Sequence, residues 1–318
     1  MTVIGTYKKD FSIGTKPCSR PTDDDIIRAM FALIPLICLL MPVAGYAAVN
    51  DVLPGDYFPL QPGQTTLTAY AYDRELQGPY AGGQQTFNGR VDSSVLALRA
   101  ARGFRVGDTT LAGVAVLPWS DSRVSPEPLA TALGGKAEGL SDLRLGLTAW
   151  LINDKATANY LGVSGMLIAP TGAYDARQVL NPGESRWRFI LSGGWQKDIT
   201  PSFLVELSPE IAFYGDNNDY TGKRKLAQRT SYAFTSYLRW RVTPTWHVHV
   251  GGQVNRGGET LISGVDQRNP ANNERVMAGM SWFLPDQQQV ILRFARDNDI
   301  DNGFNTSREI LLRYQKAF

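Results

Sequence analysis

The stretch REILLRYQKAF, Arg308 to Phe318, ends the chain with greasy and charged residues in strict alternation. Ile310, Leu312, Tyr314 and Phe318 share one parity, while Glu309, Arg313 and Gln315 share the other. A side-chain period of two belongs to a strand with one apolar and one polar face. Termini of soluble domains usually fray. Alternation that persists to the last residue predicts instead that Phe318 sits inside a structural element.

The same period recurs along the chain. GLSDLRLGLTAWLI (139–152) sets Leu143, Leu145, Leu147, Ala149 and Leu151 against Arg144, Gly146 and Thr148. TSYAFTSYLRWRV (230–242) sets Tyr232, Phe234, Leu238, Trp240 and Val242 against Ser231, Thr235, Arg239 and Arg241. WHVHVGGQV (246–254) sets Trp246, Val248 and Val250 against His247, His249 and Gln253. The pattern predicts twelve strands, near 64–72, 88–104, 109–117, 141–152, 158–168, 187–197, 203–213, 229–242, 246–255, 274–284, 288–296 and 307–318.

Their connections sort by length. Tight turns are expected near 106–108, 153–155, 198–201, 243–245 and 285–287. Long polar loops are expected over 73–87, 118–140, 169–186, 214–228, 256–273 and 297–306. A soluble sandwich has no reason to sort its loops in this way. An antiparallel cylinder threaded through a bilayer does, with short periplasmic turns and long external loops. Hydrocarbon tolerates no open sheet edge, so the last strand must pair with the first, which accounts for a terminus in the wall. The expected fold is all-β: a transmembrane antiparallel β-barrel of about 12 strands in the outer membrane of a Gram-negative bacterium.

One strongly apolar run precedes it, FALIPLICLLMPVAGYAA, Phe31 to Ala48. It is broken by Pro35 and Pro42 and ends with Gly45 and Ala47 at −3/−1 spacing, the form of a signal peptide cleaved near Ala47. An uncleaved anchor is the alternative. Asp23, Asp24 and Asp25 are unusual for the region before a signal, so Met1 and Met30 both stand as possible starts. The expected organisation is an N-terminal extension and signal peptide over 1–47, a periplasmic segment over 48–63 too short for a large plug, and the barrel over 64–318. Cys18 and Cys38 both precede the barrel, which excludes a disulfide framework or cysteine metal site in its body. With 32 basic and 30 acidic residues there is no broad basic field for nucleic acid.

Tryptophan placement agrees with a bilayer. Trp195, Trp240, Trp246 and Trp282 lie on the apolar parity near tight turns, and Trp119 and Trp187 flank long loops at the opposite strand ends. Indole favours the water–lipid boundary, so these six and Phe318 are expected as membrane-interface aromatics. Trp150 has the other parity and is expected to face inward.

The polar parity carries Arg144, Arg188, Glu206, Tyr237, Arg239, Arg241, His247, His249, Arg293 and Arg313, expected to line the lumen and a substrate path, with Glu210 and Glu309 among the acids. Two readings of these charges stand. Arginines inside a pore attract anions or carboxylates; alternatively Arg and Glu pair across strands and fill the interior. His247 and His249 lack a completing ligand, which favours lumen residues over a metal site. Gly-x-Ser-x-Gly, phosphate-loop and dinucleotide patterns are absent, so neither enzyme activity nor a cofactor is expected.

Three stretches together resemble the meta-pathway phenol-degradation family of outer-membrane candidate transporters. GDYFPLQPGQTTLTAYAY (55–72) is similar to its Pro-Leu-x-Pro-Gly entry into an aromatic first strand. EGLSDLRLGLTAW (138–150) is similar to its Gly-x-Gly-Asp-Leu strand start, with Ser141 where glycine is usual. APTGAYD (169–175) resembles its Pro-x-Gly-x-Tyr loop. The resemblance implies a channel for passive uptake of small hydrophobic or aromatic compounds and brings no catalytic residues. External loops would capture the solute, and a polar lumen or a lateral gap into lipid would pass it on. A structural or adhesion barrel with a closed lumen is the alternative, and a lipid-modifying barrel enzyme the remoter one. The expected partners are outer-membrane lipid and lipopolysaccharide, the barrel assembly machinery (which reads a terminal aromatic like Phe318) and the solute.

Overall fold

The computed structural model describes residues 52–318; the expected leader over 1–47 lies outside the described residues. The chain begins with three long strands, β1 (Thr65–Ala81), β2 (Gln84–Val106) and β3 (Thr109–Ser125). A short helix, α1 (Glu127–Leu133), and β4 (Lys136–Leu140) follow. Next come β5 (Arg144–Asp154), β6 (Asn159–Ile168), β7 (Arg188–Asp198) and β8 (Phe203–Tyr214). Two short strands, β9 (Asn217–Tyr220) and β10 (Arg224–Gln228), precede β11 (Ser231–Arg241) and β12 (Trp246–Gly257). Another short pair, β13 (Thr260–Ile262) and β14 (Val265–Asp266), precedes β15 (Asn273–Leu284), β16 (Gln288–Ile300) and β17 (Gly303–Ala317).

Twelve of these strands form one closed antiparallel barrel: β1, β2, β3, β5, β6, β7, β8, β11, β12, β15, β16 and β17. Each pairs with its neighbour in this order, and β17 returns to β1. The seam runs down to the last residue: Thr65 N donates to Phe318 O (3.1 Å) and Phe318 N to Thr65 O (2.8 Å). Closure leaves no edge in hydrocarbon. Among the described residues no helix is long and apolar enough to cross a membrane.

Side chains follow the alternation. Leu145, Leu147, Leu151, Phe189, Leu191, Leu238, Val248, Val250 and Leu312 are exposed on the outer wall, where lipid replaces water. Arg144, Trp150, Arg239, His249 and Arg313 are buried inside. At the periplasmic rim Trp246 and Trp282, directly opposite in register, stack at 5.2 Å between ring centroids, and Trp240 stacks on Phe203 at 6.1 Å. Trp195 Nε1 donates to Asn159 Oδ1 (2.9 Å). Trp187 is exposed at the opposite strand ends, and Trp119 lies at that end between Leu96 and Leu140.

Two expected loops prove to be strand. Residues 73–87 continue β1 and β2 into a hairpin closed at Gly82–Gly83, and 297–306 holds only a tight turn between β16 and β17. Above the bilayer the outer face of the ladder meets water rather than lipid, so the backbone hydrogen bonds continue where the alternating apolar signal stops. The expected loop at 118–140 is also structured, by the end of β3, α1 and β4. Leu129, Ala130 and Leu133 of α1 pack on Leu76, Val91, Val124 and Phe304 inside the mouth, joined by Val179 and Leu180 from the 169–186 loop. This apolar cap covers the inner wall of β1, β2, β3 and β17 at the external end.

Placing arginine at Leu147 on the lipid face should cost about 2–4 kcal/mol, the known range for that change near the bilayer midplane. Refolding into lipid vesicles, read as the heat-dependent shift in gel mobility, should show a correspondingly smaller folded fraction for Leu147→Arg.

Candidate functional site: the barrel lumen

Of the segment expected in the periplasm, Gln61, Pro62 and Gly63 stay exposed at the rim beside β2, while residues 52–57 fold up into the lumen. A compact turn holds them, with Leu53 N donating to Asp56 Oδ2 (2.9 Å) and Asp56 N to Leu53 O (3.0 Å). Leu53 is completely buried. Gly55 N donates to Glu206 Oε2 (2.7 Å), and Arg313 reaches Asp56 Oδ1 at 2.7 Å. Tyr57 donates its hydroxyl to Ser192 (2.9 Å), while Trp150 Nε1 donates to the Tyr57 carbonyl (2.9 Å). The Tyr57 ring lies directly on the inner wall over Gly194, where an added Cβ would overlap it, and a Cβ at Gly162 would come within 2.9 Å. These glycines are bare because an aromatic ring takes the volume of their missing side chains. The segment is short, yet its contacts reach both Glu206 on β8 and Arg313 on β17 across the bore.

The lumen around it has two unlike halves. On β8 to β17 it is charged. Arg239 pairs with Glu206 (2.5 Å), Arg293 and, from the adjoining β1, Arg74 both pair with the fully buried Glu309, and Arg275 pairs with Asp297 (2.9 Å). Arg241 pairs with Asp198 at the periplasmic rim (2.6 Å). His247 packs on Phe283 (4.6 Å between centroids), and His249 meets Tyr237 edge-on (5.8 Å). Tyr237 donates to the Val52 carbonyl (3.2 Å) and receives a hydrogen bond from Arg293 (3.3 Å). Among the described residues no cluster of three metal-ligating side chains occurs.

On β1 to β3 the inner face carries an apolar patch, while β5 and β7 add the buried Arg144 and Arg188. Tyr70, Tyr72, Val95, Ala97, Val114 and Val116 pack together around Leu53 and Leu311. Beside Tyr57 lies a cavity of about 120 Å³, lined by apolar side chains including Tyr70, Val114, Met166 and Ile190, with Asp56, Arg99, Thr148, Ser164, Ser192 and Glu210 as its polar groups. Above it the apolar face continues, across the Ser93–Ser122 hydroxyl pair (2.8 Å), to Leu76 and Val91 under the cap.

Of the residues expected in the lumen, Arg144, Arg188, Glu206, Tyr237, Arg239, His247, His249, Arg293 and Arg313 are buried within the barrel, while Arg241 stays part-exposed at the rim with Asp198. Several occupy themselves with pairing or with holding the N-terminal turn, as Arg313, Glu206 and Tyr237 do. Sequence reasoning missed Leu53, Asp56, Tyr57 and the apolar inner patch. Its signal was the failure of alternation in VLALRAA (95–101) and LAGVAVL (111–117), where both parities are apolar. At the external mouth, burial alone would raise the Glu184 carboxyl, but the Arg186 and Arg188 guanidiniums more than offset this and hold it below its ordinary value. Glu184 thereby ties the 169–186 loop to the start of β7, through Arg188 at 3.4 Å.

A family model described as "Putative MetA-pathway of phenol degradation" matches residues 74–308, most of the barrel. The chain belongs to this family. Its fold is similar to the crystal structure of the COG4313 outer membrane channel from Pseudomonas putida F1, with 28% identity and a TM-score of 0.80 over 84% of this chain and 100% of that one. The β-domain of the Bordetella autotransporter BrkA shares the barrel fold alone, at 14% identity and a TM-score of 0.52 over 80% of this chain and 100% of that one. Among curated proteins no sequence match was found. The closed barrel and its channel relative make this family member an outer-membrane channel of a Gram-negative bacterium.

Filling the space over Gly194 should evict the Tyr57 ring and with it the turn. In planar bilayers Gly194→Val should raise single-channel conductance at least threefold over the parent, with the heat-dependent gel shift retained as evidence of an intact wall.

Proposed function

We propose that this channel passes small hydrophobic or aromatic compounds passively, without catalysis. One observation carries the reading: an apolar patch on the inner wall of β1 to β3 leads from the cap down to a cavity of about 120 Å³ beside Tyr57. An apolar cavity of roughly 150 Å³ is known to take up benzene, so this one is of the size for a single ring. Its Ser164, Ser192 and Glu210 groups offer partners to one hydroxyl on that ring. A hydrophilic solute would gain nothing from such a wall, whereas an apolar one exchanges water for packed side chains at about 25 cal/mol per Å². The description of the matched family, which refers to phenol degradation, agrees with this solute class. Passage onward requires the 52–63 turn to move or a gap to open in the wall.

The occluded lumen favours a second reading, a structural or adhesion barrel whose closed interior carries nothing. Flux separates the two. Proteoliposomes holding the purified protein should accumulate toluene or phenol analogues faster than protein-free vesicles, and faster than a sugar of similar mass. Val114→Trp, which fills the cavity, should cut that rate at least tenfold. Equal rates for parent, variant and empty vesicles would leave the closed-barrel reading standing.

A further inference from the structure

The outer wall has a recess of its own. A groove of about 510 Å³ opens on the lipid side of β1, β2, β3 and β17, walled by Leu67, Leu98, Leu117 and Tyr314 and floored by Ala69 and Ala115. Its lining is almost wholly apolar. It starts at the periplasmic rim, where Phe318 closes the seam against Thr65, and runs up the wall toward Leu117 and Leu143.

Two cations bracket its lower end. Arg102 lies on β2 directly opposite Thr65, on the same outward parity as the exposed Leu96 and Leu98, and donates to the Thr65 hydroxyl (3.0 Å). Lys316 lies on β17 directly opposite Leu67, on the outward parity of Leu312, Tyr314 and Phe318, with its ammonium 5.4 Å from the Phe318 ring centroid. The terminal Phe318 carboxyl lies at Thr65 between these two cations, and among the described residues no Asp or Glu side chain pairs with either. A lipid-facing lysine is costly deep in hydrocarbon but favourable at the interface, where its stem lies along apolar surface and its head meets phosphate.

We propose that this groove is a binding site for one phospholipid of the periplasmic leaflet, with an acyl chain in the recess and the phosphate held between Arg102 and Lys316. The membrane itself supplies the occupant, because a recess facing hydrocarbon is filled by hydrocarbon. The cation pair chooses which lipid: an anionic headgroup gains about 1 kcal/mol per basic residue near the surface. The position of the cations, at the rim where the groove begins, matches a headgroup and tail in one molecule. The site is independent of the lumen and of what passes through it.

Native mass spectrometry of the full protein, released from detergent after exposure to phosphatidylglycerol or phosphatidylcholine, tests this. The parent should retain one phosphatidylglycerol. Arg102→Gln with Lys316→Gln should lower that retention at least fivefold while leaving phosphatidylcholine unchanged, and Ala69→Leu with Ala115→Leu should lower both. A phosphatidylglycerol carrying a photoreactive group on its acyl chain gives a reading that needs no variant: crosslinks should fall on peptides holding Leu67–Ala69, Leu98 or Leu117. Crosslinks spread evenly around the barrel, equal retention in all variants, or a dimer of this chain covering the groove in place of lipid would each overturn the proposal.

Discussion

A backbone amide without a partner inside hydrocarbon costs several kcal/mol, and every other feature of this molecule is built around avoiding that. The hydrogen bonds that pair β17 with β1, ending in the reciprocal exchange between Thr65 and Phe318, remove the last free edge. Once the ring is closed, twelve strands enclose a bore too narrow for a wide aqueous pore and too wide for wall side chains alone to fill. The chain fills the difference with its own N-terminal turn from below and with α1 and the 169–186 loop from above.

The interior is sided, and the turn is matched to both sides. Asp56 and the Gly55 amide address the charged half through Arg313 and Glu206, while Leu53 and the Tyr57 ring address the apolar half. Removing one partner of a buried ion pair typically costs 3–5 kcal/mol, so a network such as Arg74–Glu309–Arg293 fixes the spacing of β1, β16 and β17 more than it adds net stability. The charged half is therefore a rigid frame against which the apolar half can act as a surface for a solute.

Much of this was legible in the residues. Alternation in GLSDLRLGLTAWLI and TSYAFTSYLRWRV located the barrel strands, because a wall with lipid outside and polar groups inside writes its two faces into every second residue. The parity of Trp150 placed it inside, where it holds the Tyr57 carbonyl. The rest was hidden for physical reasons. Residues 73–81 and 84–87 form strand without an alternating apolar face, since only Leu76 and Phe87 meet the cap there and the ladder supplies the rest. The turn at Leu53–Tyr57 has no periodicity to read; its position depends on partners more than a hundred residues away, such as Glu206 and Ser192. The groove between Leu67 and Tyr314 is equally silent in one dimension, as it is assembled from four strands.

The doubly apolar hairpin of β2 and β3 has a consequence for the protein's journey before it reaches the bilayer. Val95 to Ala101 and Leu111 to Leu117 present greasy groups to both sides, so no orientation of that hairpin in water shelters them. A cylinder with a wet interior can cross an aqueous space as a loose ribbon with one tolerable surface; this one has a section with none. During transit that section is where self-association would nucleate and where an escorting holdase has most to cover.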